Sequence, residues 1–191
     1  MHLIRLFCSA LLIVGLAGTA CAFGLYVEQL ENAAVSTCPI CGGAIMAGAI
    51  HETAVDTIDT DFGGGLEKRG IAFTRTPGER SYLRVLVYRY RERLGGNFSV
   101  ERPASVGFHV HLFDEGRLIK LYRYDETQQA LSENVFRFFT FLKRGGKWVP
   151  ASRLAAEGVE KALDELDEDI TAPRGPRQDV PAQRERPQDT Q

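Results

Sequence analysis

The sequence predicts an α/β fold: a mixed sheet, made of an N-terminal βαβ unit and an antiparallel three-strand meander, packed with C-terminal helices. Three observations point there. The stretch 105–124 alternates strictly in two runs separated by a polar break, and 82–91 alternates in the same way. Val159, Leu163, Leu166 and Ile170 then recur at helical spacing, a stripe suited to packing on a sheet.

The hairpin of 105–113 with 117–124 is the centre of this reading. Val106, Phe108, Val110 and Leu112 alternate with Gly107, His109, His111 and Phe113. Asp114-Glu115-Gly116-Arg117 then supplies the Asp and Gly that a tight antiparallel connection needs.

At 191 residues the chain suits a single domain with appendages, and its net charge of −2 carries no nucleic-acid footprint. Arg5, the apolar run 6–16 and the small residues up to Cys21 form a secretory signal. Gly18-Thr19-Ala20-Cys21 resembles a lipobox, with Cys21 as the lipidated mature N-terminus. Ala20-Cys21-Ala22 also permits cleavage to a soluble protein starting at Phe23. The lipoprotein reading is preferred. It places the chain on the periplasmic side of the outer membrane, held by its lipid, with soluble periplasmic as the alternative. The domain plan is a signal peptide over 1–21, a tether over 22–37, one α/β domain over 38–171 and a disordered tail over 172–191.

In chain order, Ala44–Ile50 reads as a buried strand. Val55, Ile58, Phe62 and Leu66 mark a helix despite Gly63-Gly64-Gly65, which either break it or allow close packing on the sheet. Ile71–Thr74 is a second short strand, giving a parallel βαβ unit. The glycine run follows no strand and precedes no Gly-Lys-Ser/Thr, so it is no phosphate loop. Tyr82–Arg91 is the first strand of the meander. Ser132 caps an aromatic-rich helix over 133–142, closed by Gly145-Gly146. From Ala172 onward the chain is rich in Pro, Arg, Gln and Asp and reads as disordered.

Cys38-Pro39-Ile40-Cys41-Gly42-Gly43 looks like half of a zinc ribbon, but a closed zinc site needs four ligands and the other cysteines, Cys8 and Cys21, lie in the signal. A local disulfide or an idle thiol pair is therefore expected, and serine at both positions should leave the fold intact. His109 and His111 share a strand face, as a metal pair would. If Phe113 pairs with Leu118, His111 faces Lys120 and His109 faces Tyr122, and an ammonium beside a ligand disfavours a cation. Ordinary sheet-face histidines are expected, with no metal and no cofactor; Cys38, Cys41, His109 and His111 are the metal candidates the sequence offers.

The same register places Arg84, Tyr88, Tyr90, His109, His111, Lys120, Tyr122 and Tyr124 on one face, a possible partner-binding surface that the C-terminal helices would otherwise cover. Val85, Val87, Phe108, Val110, Leu112, Ile119 and Leu121 form the core face. Asp114-Glu115 is explained by its turn, and Asp125-Glu126 has no identified partner, so no catalytic residue is assigned.

The chain also resembles a group of bacterial envelope lipoproteins of largely unassigned function, whose globular part is similar to the TolB amino-terminal and penicillin-binding-protein-activator fold. The resemblance rests on 88–93 with Gly95-Gly96, on 101–106, 125–129 and 131–134, and most specifically on Lys143-Arg144-Gly145-Gly146-Lys147-Trp148-Val149. It implies a mixed α/β domain, an envelope location and a non-enzymatic role, and supplies no catalytic residues. Two function classes follow. One is a non-catalytic lipoprotein that binds an unknown envelope protein or polymer, with the membrane as its other partner and no nucleic acid. The alternative is a small metal- or thiol-dependent periplasmic protein that uses Cys38/Cys41 or His109/His111.

Overall fold

A computed structural model describes residues 23–95, 100–128 and 149–172. The sheet is five-stranded and mixed, and two helices pack on one of its faces. Its strands are β1 (Phe23–Gln29), β2 (Phe73–Thr74), β3 (Ser81–Arg91), β6 (Ser105–Asp114) and β7 (Arg117–Thr127), in the order β2-β1-β3-β6-β7. Between β3 and β6 lies a small two-stranded ladder, β4 (Leu94–Gly95) with β5 (Val100–Arg102). The helices are α1 (Ala54–Lys68) and α2 (Ala151–Thr171). Neither is long and apolar enough to cross a membrane.

The parallel βαβ unit is present, but its first strand is β1, paired in parallel with both β2 and β3. The expected tether over 22–37 and strand over 44–50 are therefore both corrected. β1 runs Phe23-Gly24-Leu25 through buried positions next to the signal, and three successive buried residues lack the alternation that marks a half-buried strand. Residues 44–50 instead cross the sheet as an irregular cover. It meets β3 at one isolated parallel bridge, Ile50 with Tyr90, made by Gly48 N–H to Tyr88 O at 2.9 Å, Tyr90 N–H to Ala49 O at 3.0 Å and His51 N–H to Tyr90 O at 2.9 Å, with Met46 exposed.

α1 continues through its three glycines. Ile58, Phe62 and Leu66 are fully buried, worth about 1.5–3 kcal/mol each, against up to about 1 kcal/mol per Gly. Gly65 faces α2 so closely that a Cβ there would sit 2.3 Å from Leu163 Cδ1, and Gly63 lies against Phe73. Of the two roles expected for these glycines, close packing is the one observed, and helix α2 is the partner of Gly65. The stripe Val159, Leu163, Leu166 and Ile170 is buried as expected. The hairpin is also as expected. Glu115 and Gly116 both take positive φ, 49° and 75°, in a two-residue turn closed by the Asp114–Arg117 pair. The expected helix over 133–142, most of the 143–149 block, the signal and the tail beyond Ala172 lie outside the described residues.

Two irregularities decide which side chains share a face. The register shifts between Leu112 and Phe113 opposite β7, and again between Val87 and Arg89 opposite β6. Such bulges insert a residue and reverse the alternation beyond it. His111 therefore lies opposite Leu121, and His109 opposite Arg123. Lys120, Tyr122 and Tyr124 turn to the helix-covered face, where Lys120 Nζ meets Asp169 Oδ2 of α2 at 2.7 Å. Tyr90 joins that core, whereas Tyr88 lies with Leu86 on the opposite face. The eight-residue basic-aromatic surface does not exist as one face. Ile119 and Leu121 likewise leave the expected core, and Ile119 is exposed.

Candidate metal centre

The non-helical face of the sheet is covered by the segment between β1 and α1. Cys38, Ile45, Leu86 and Tyr88 form its buried cluster, flanked by Leu30, Val35, Ile40, Cys41 and Ala47. Arg89 fastens the cover to the sheet: one guanidinium nitrogen donates to Met46 O at 3.1 Å and the other pairs with Asp125. Within this cover Cys38 and Cys41 occupy a tight turn. Cys38 N–H donates to Gly43 O at 2.7 Å, and Gly42 N–H donates to Cys38 O at 2.8 Å. Gly42 makes that turn with φ +69°, a conformation that favours glycine.

The turn delivers both thiols onto β6. Cys38 Sγ lies 3.4 Å from His111 Nε2, and Cys41 Sγ lies 3.7 Å from His109 Nδ1. One ligand atom from each of the four residues lies within 4.8 Å of every other. A tetrahedral zinc with Zn–S of ~2.3 Å and Zn–N of ~2.0–2.1 Å has S···N edges of about 3.5 Å and an S···S edge of about 3.8 Å. The two S···N separations already match, and the widest gap needs to close by about 1.5 Å at most.

The surroundings suit two neutral imidazoles. His111 Nδ1 lies 3.0 Å from Arg84 O; a carbonyl only accepts, so Nδ1 carries the hydrogen and Nε2 presents its lone pair to the centre. Burial, reinforced by the charges of His111 and Arg123, lowers His109 to about 4. Burial also lowers His111, with Arg84 and Arg123 acting in the same direction and the backbone bond to Arg84 opposing it. Burial raises the Cys38 thiol, opposed by backbone hydrogen bonds from Cys41 and Ile40. A divalent cation would compensate the Cys38 thiolate that burial otherwise disfavours. All four positions are filled by protein, which is the pattern of a structural zinc site; thiolate and imidazole in a tetrahedral set select zinc over the hard cations.

Each pair was visible in the sequence as half a site. The expectation of no closed ligand set rested on local spacing, and the fold corrects it by joining pairs 68–73 residues apart. The objection from Lys120 fails as well, since that ammonium is on the other face with α2. Tyr88 completes the wall. Its ring meets His109 edge-on at 5.2 Å between centroids, its hydroxyl reaches Asp125 Oδ2 at 3.1 Å, and burial raises its pKa. Of the proposed binding face, Arg84 remains partly exposed, in an ion pair with Glu28 at 2.8 Å, while Tyr88, His109 and His111 are buried.

Neither a family model nor a curated protein matches the chain. Similar solved structures include a PelC dodecamer from Paraburkholderia phytofirmans, 17% identical, with a TM-score of 0.47 over 76% of this chain and 86% of that one. Protein XCC0632 from Xanthomonas campestris, of the DUF330 family, is 13% identical with a TM-score of 0.43, covering 78% of this chain and 86% of its own. Lipoprotein GNA1162 from Neisseria meningitidis is 10% identical with a TM-score of 0.38, covering 65% and 94%. No function is transferred to this chain at these values.

Proposed function

We propose that this protein is an exported, non-catalytic envelope protein whose domain is held together by a zinc ion at Cys38, Cys41, His109 and His111. One observation carries the reading: four ligand atoms of the types zinc prefers converge within 4.8 Å on one face of the sheet. With all four positions taken by protein, no coordination site is left for a substrate, which supports a structural rather than a catalytic ion. The metal staples the cover to β6 and so shapes the face opposite the helices.

The envelope part of the reading is supported by the leader and by the resemblance to bacterial envelope lipoproteins. On it, Cys21 carries the lipid at the periplasmic side of the outer membrane, and the domain serves as a binding or assembly module for an envelope protein or polymer. Only Ala22 separates Cys21 from β1. At ~3.3–3.6 Å per residue, a lipid there holds the start of β1 within about 7 Å of the bilayer surface.

The test is the metal content of the full chain purified under reducing conditions without chelator. About one zinc per chain is expected, replaceable by cobalt with the visible absorption of tetrahedral thiolate coordination. Cys38→Ser and His111→Ala should each lose it. Protein that folds yet takes up neither metal would sink the assignment.

A further inference from the structure

We propose that Cys38 and Cys41 are also a thiol–disulfide exchange site, and that disulfide formation there releases the metal. This rests on the zinc reading above and names how that site is regulated. The first support is position. The two sulfurs are adjacent in one turn, yet Cys38 is 1% exposed in the cluster of Ile45, Leu86 and Tyr88, whereas Cys41 is only partly buried. An oxidant therefore meets Cys41 first, with Cys38 behind it as the resolving thiol.

The second support is geometric exclusion. Zinc holds its two sulfurs about 3.8 Å apart, whereas a disulfide brings them to ~2.05 Å. Two sulfurs drawn that close, and left uncharged, cannot both ligate. His109 and His111 alone then offer half a coordination shell, so the ion leaves. The turn itself need not unfold, because its hydrogen bonds are made by Cys38 N–H to Gly43 O and Gly42 N–H to Cys38 O and involve neither sulfur.

The step balances with a disulfide as co-reactant, of the kind presented by disulfide-exchange proteins or oxidised glutathione. The Cys41 thiolate attacks one sulfur of the oxidant; that S–S bond breaks and the first thiolate departs. The Cys38 thiolate then attacks Cys41 Sγ in the mixed disulfide and expels the second. Two electrons pass from the protein sulfurs to the oxidant, one S–S bond forms and one breaks, and zinc departs as the divalent ion. In the reverse direction a dithiol regenerates the two thiolates and the site reloads.

The experiment uses the full chain. Zinc is first measured under reducing conditions; protein that holds none at this stage removes the zinc reading and this inference together. Zinc-loaded protein is then given oxidised glutathione, with released zinc followed by a chromogenic chelator and cysteines mapped by alkylation and peptide mass spectrometry. Loss of zinc in step with a Cys38–Cys41 disulfide, with recovery on adding dithiothreitol and zinc, is expected. Retention of zinc with unmodified cysteines overturns the exchange proposal and leaves the zinc reading standing. So does zinc loss with glutathione adducts on both cysteines and no bond between them. In Cys38→Ser a glutathione adduct should accumulate on Cys41, and faster than on Cys38 in Cys41→Ser. The opposite order overturns the assignment of Cys41 as the entry thiol, and the wild-type peptide time course reports on it even where a variant folds poorly.

Discussion

Removing the metal should loosen one identifiable part of the molecule. Among the described residues, the cover contributes Cys38 and Ile45 to the buried cluster beneath it, with Leu30, Val35, Ile40, Cys41 and Ala47 partly buried around them. Burying Ile45 is worth about 1.5–3 kcal/mol, while each ordered backbone residue costs about 1–2 kcal/mol. On the zinc reading the ion adds to these contacts and to the Arg89 anchor. With free zinc at 100 to 1,000 times its dissociation constant, the linkage stabilisation is about 2.7–4.1 kcal/mol. At about 2–4 °C per kcal/mol for a domain of this size, the melting midpoint should rise by about 5–16 °C between chelator-treated and zinc-loaded protein. Melts by circular dichroism with and without chelator measure this, and Cys38→Ser/Cys41→Ser should show no zinc-dependent shift. Hydrogen exchange adds position. In chelator the Cys38, Gly42 and Ile45 amides should exchange faster, while those of β3 and β6 keep their protection. Wild-type midpoints within about 1 °C of each other, with unchanged exchange in the cover, would refute the staple. The result expected here also reverses the sequence-based expectation that the double serine replacement is neutral.

Three further predictions test the packing and the anchor. Gly107→Ala should destabilise by about 1–3 kcal/mol in denaturant melts. Its Cβ would stand 2.4 Å from the ring of Tyr88, which is fixed by Asp125 and by Tyr124 O at 3.2 Å; an unchanged midpoint would show that this ring can yield. Gly65→Ala should cost a similar amount in the wild type and much less in a Leu163→Ala background, where the obstructing Cδ1 is gone. Strict additivity in that double-mutant cycle would contradict the α1–α2 contact. Mass spectrometry of the mature N-terminus should find Cys21 diacylated, and an unmodified peptide starting at Phe23 would remove the lipid anchor.

Much of the fold was legible because it is written locally. The hairpin shows as period-two alternation broken at Glu115-Gly116, and α2 shows as Val159, Leu163, Leu166 and Ile170 at helical spacing. α1 was legible through its glycines because Ile58, Phe62 and Leu66 outweigh them. β1 was not, because its start, Phe23-Gly24-Leu25, is buried at successive positions and abuts the apolar leader, so no alternation marks it.

The site was legible only in halves. Cys38 and Cys41 name the chemistry of one half, and His109 and His111 that of the other, because spacing within a turn or a strand is a local property. Whether the halves meet depends on which face each strand residue takes. A bulge at Leu112/Phe113 sends Lys120 to α2 and sets Leu121 beside His111, and a shift at Val87/Arg89 separates Tyr88 from Tyr90. One inserted residue reverses a whole face, and no local pattern announces the insertion. The sequence thus determined the ligand types and the strands and turns that present them. The tertiary structure alone decided that two pairs about seventy residues apart share one centre, because register and the crossing of the cover over β6 are set by packing across the whole sheet.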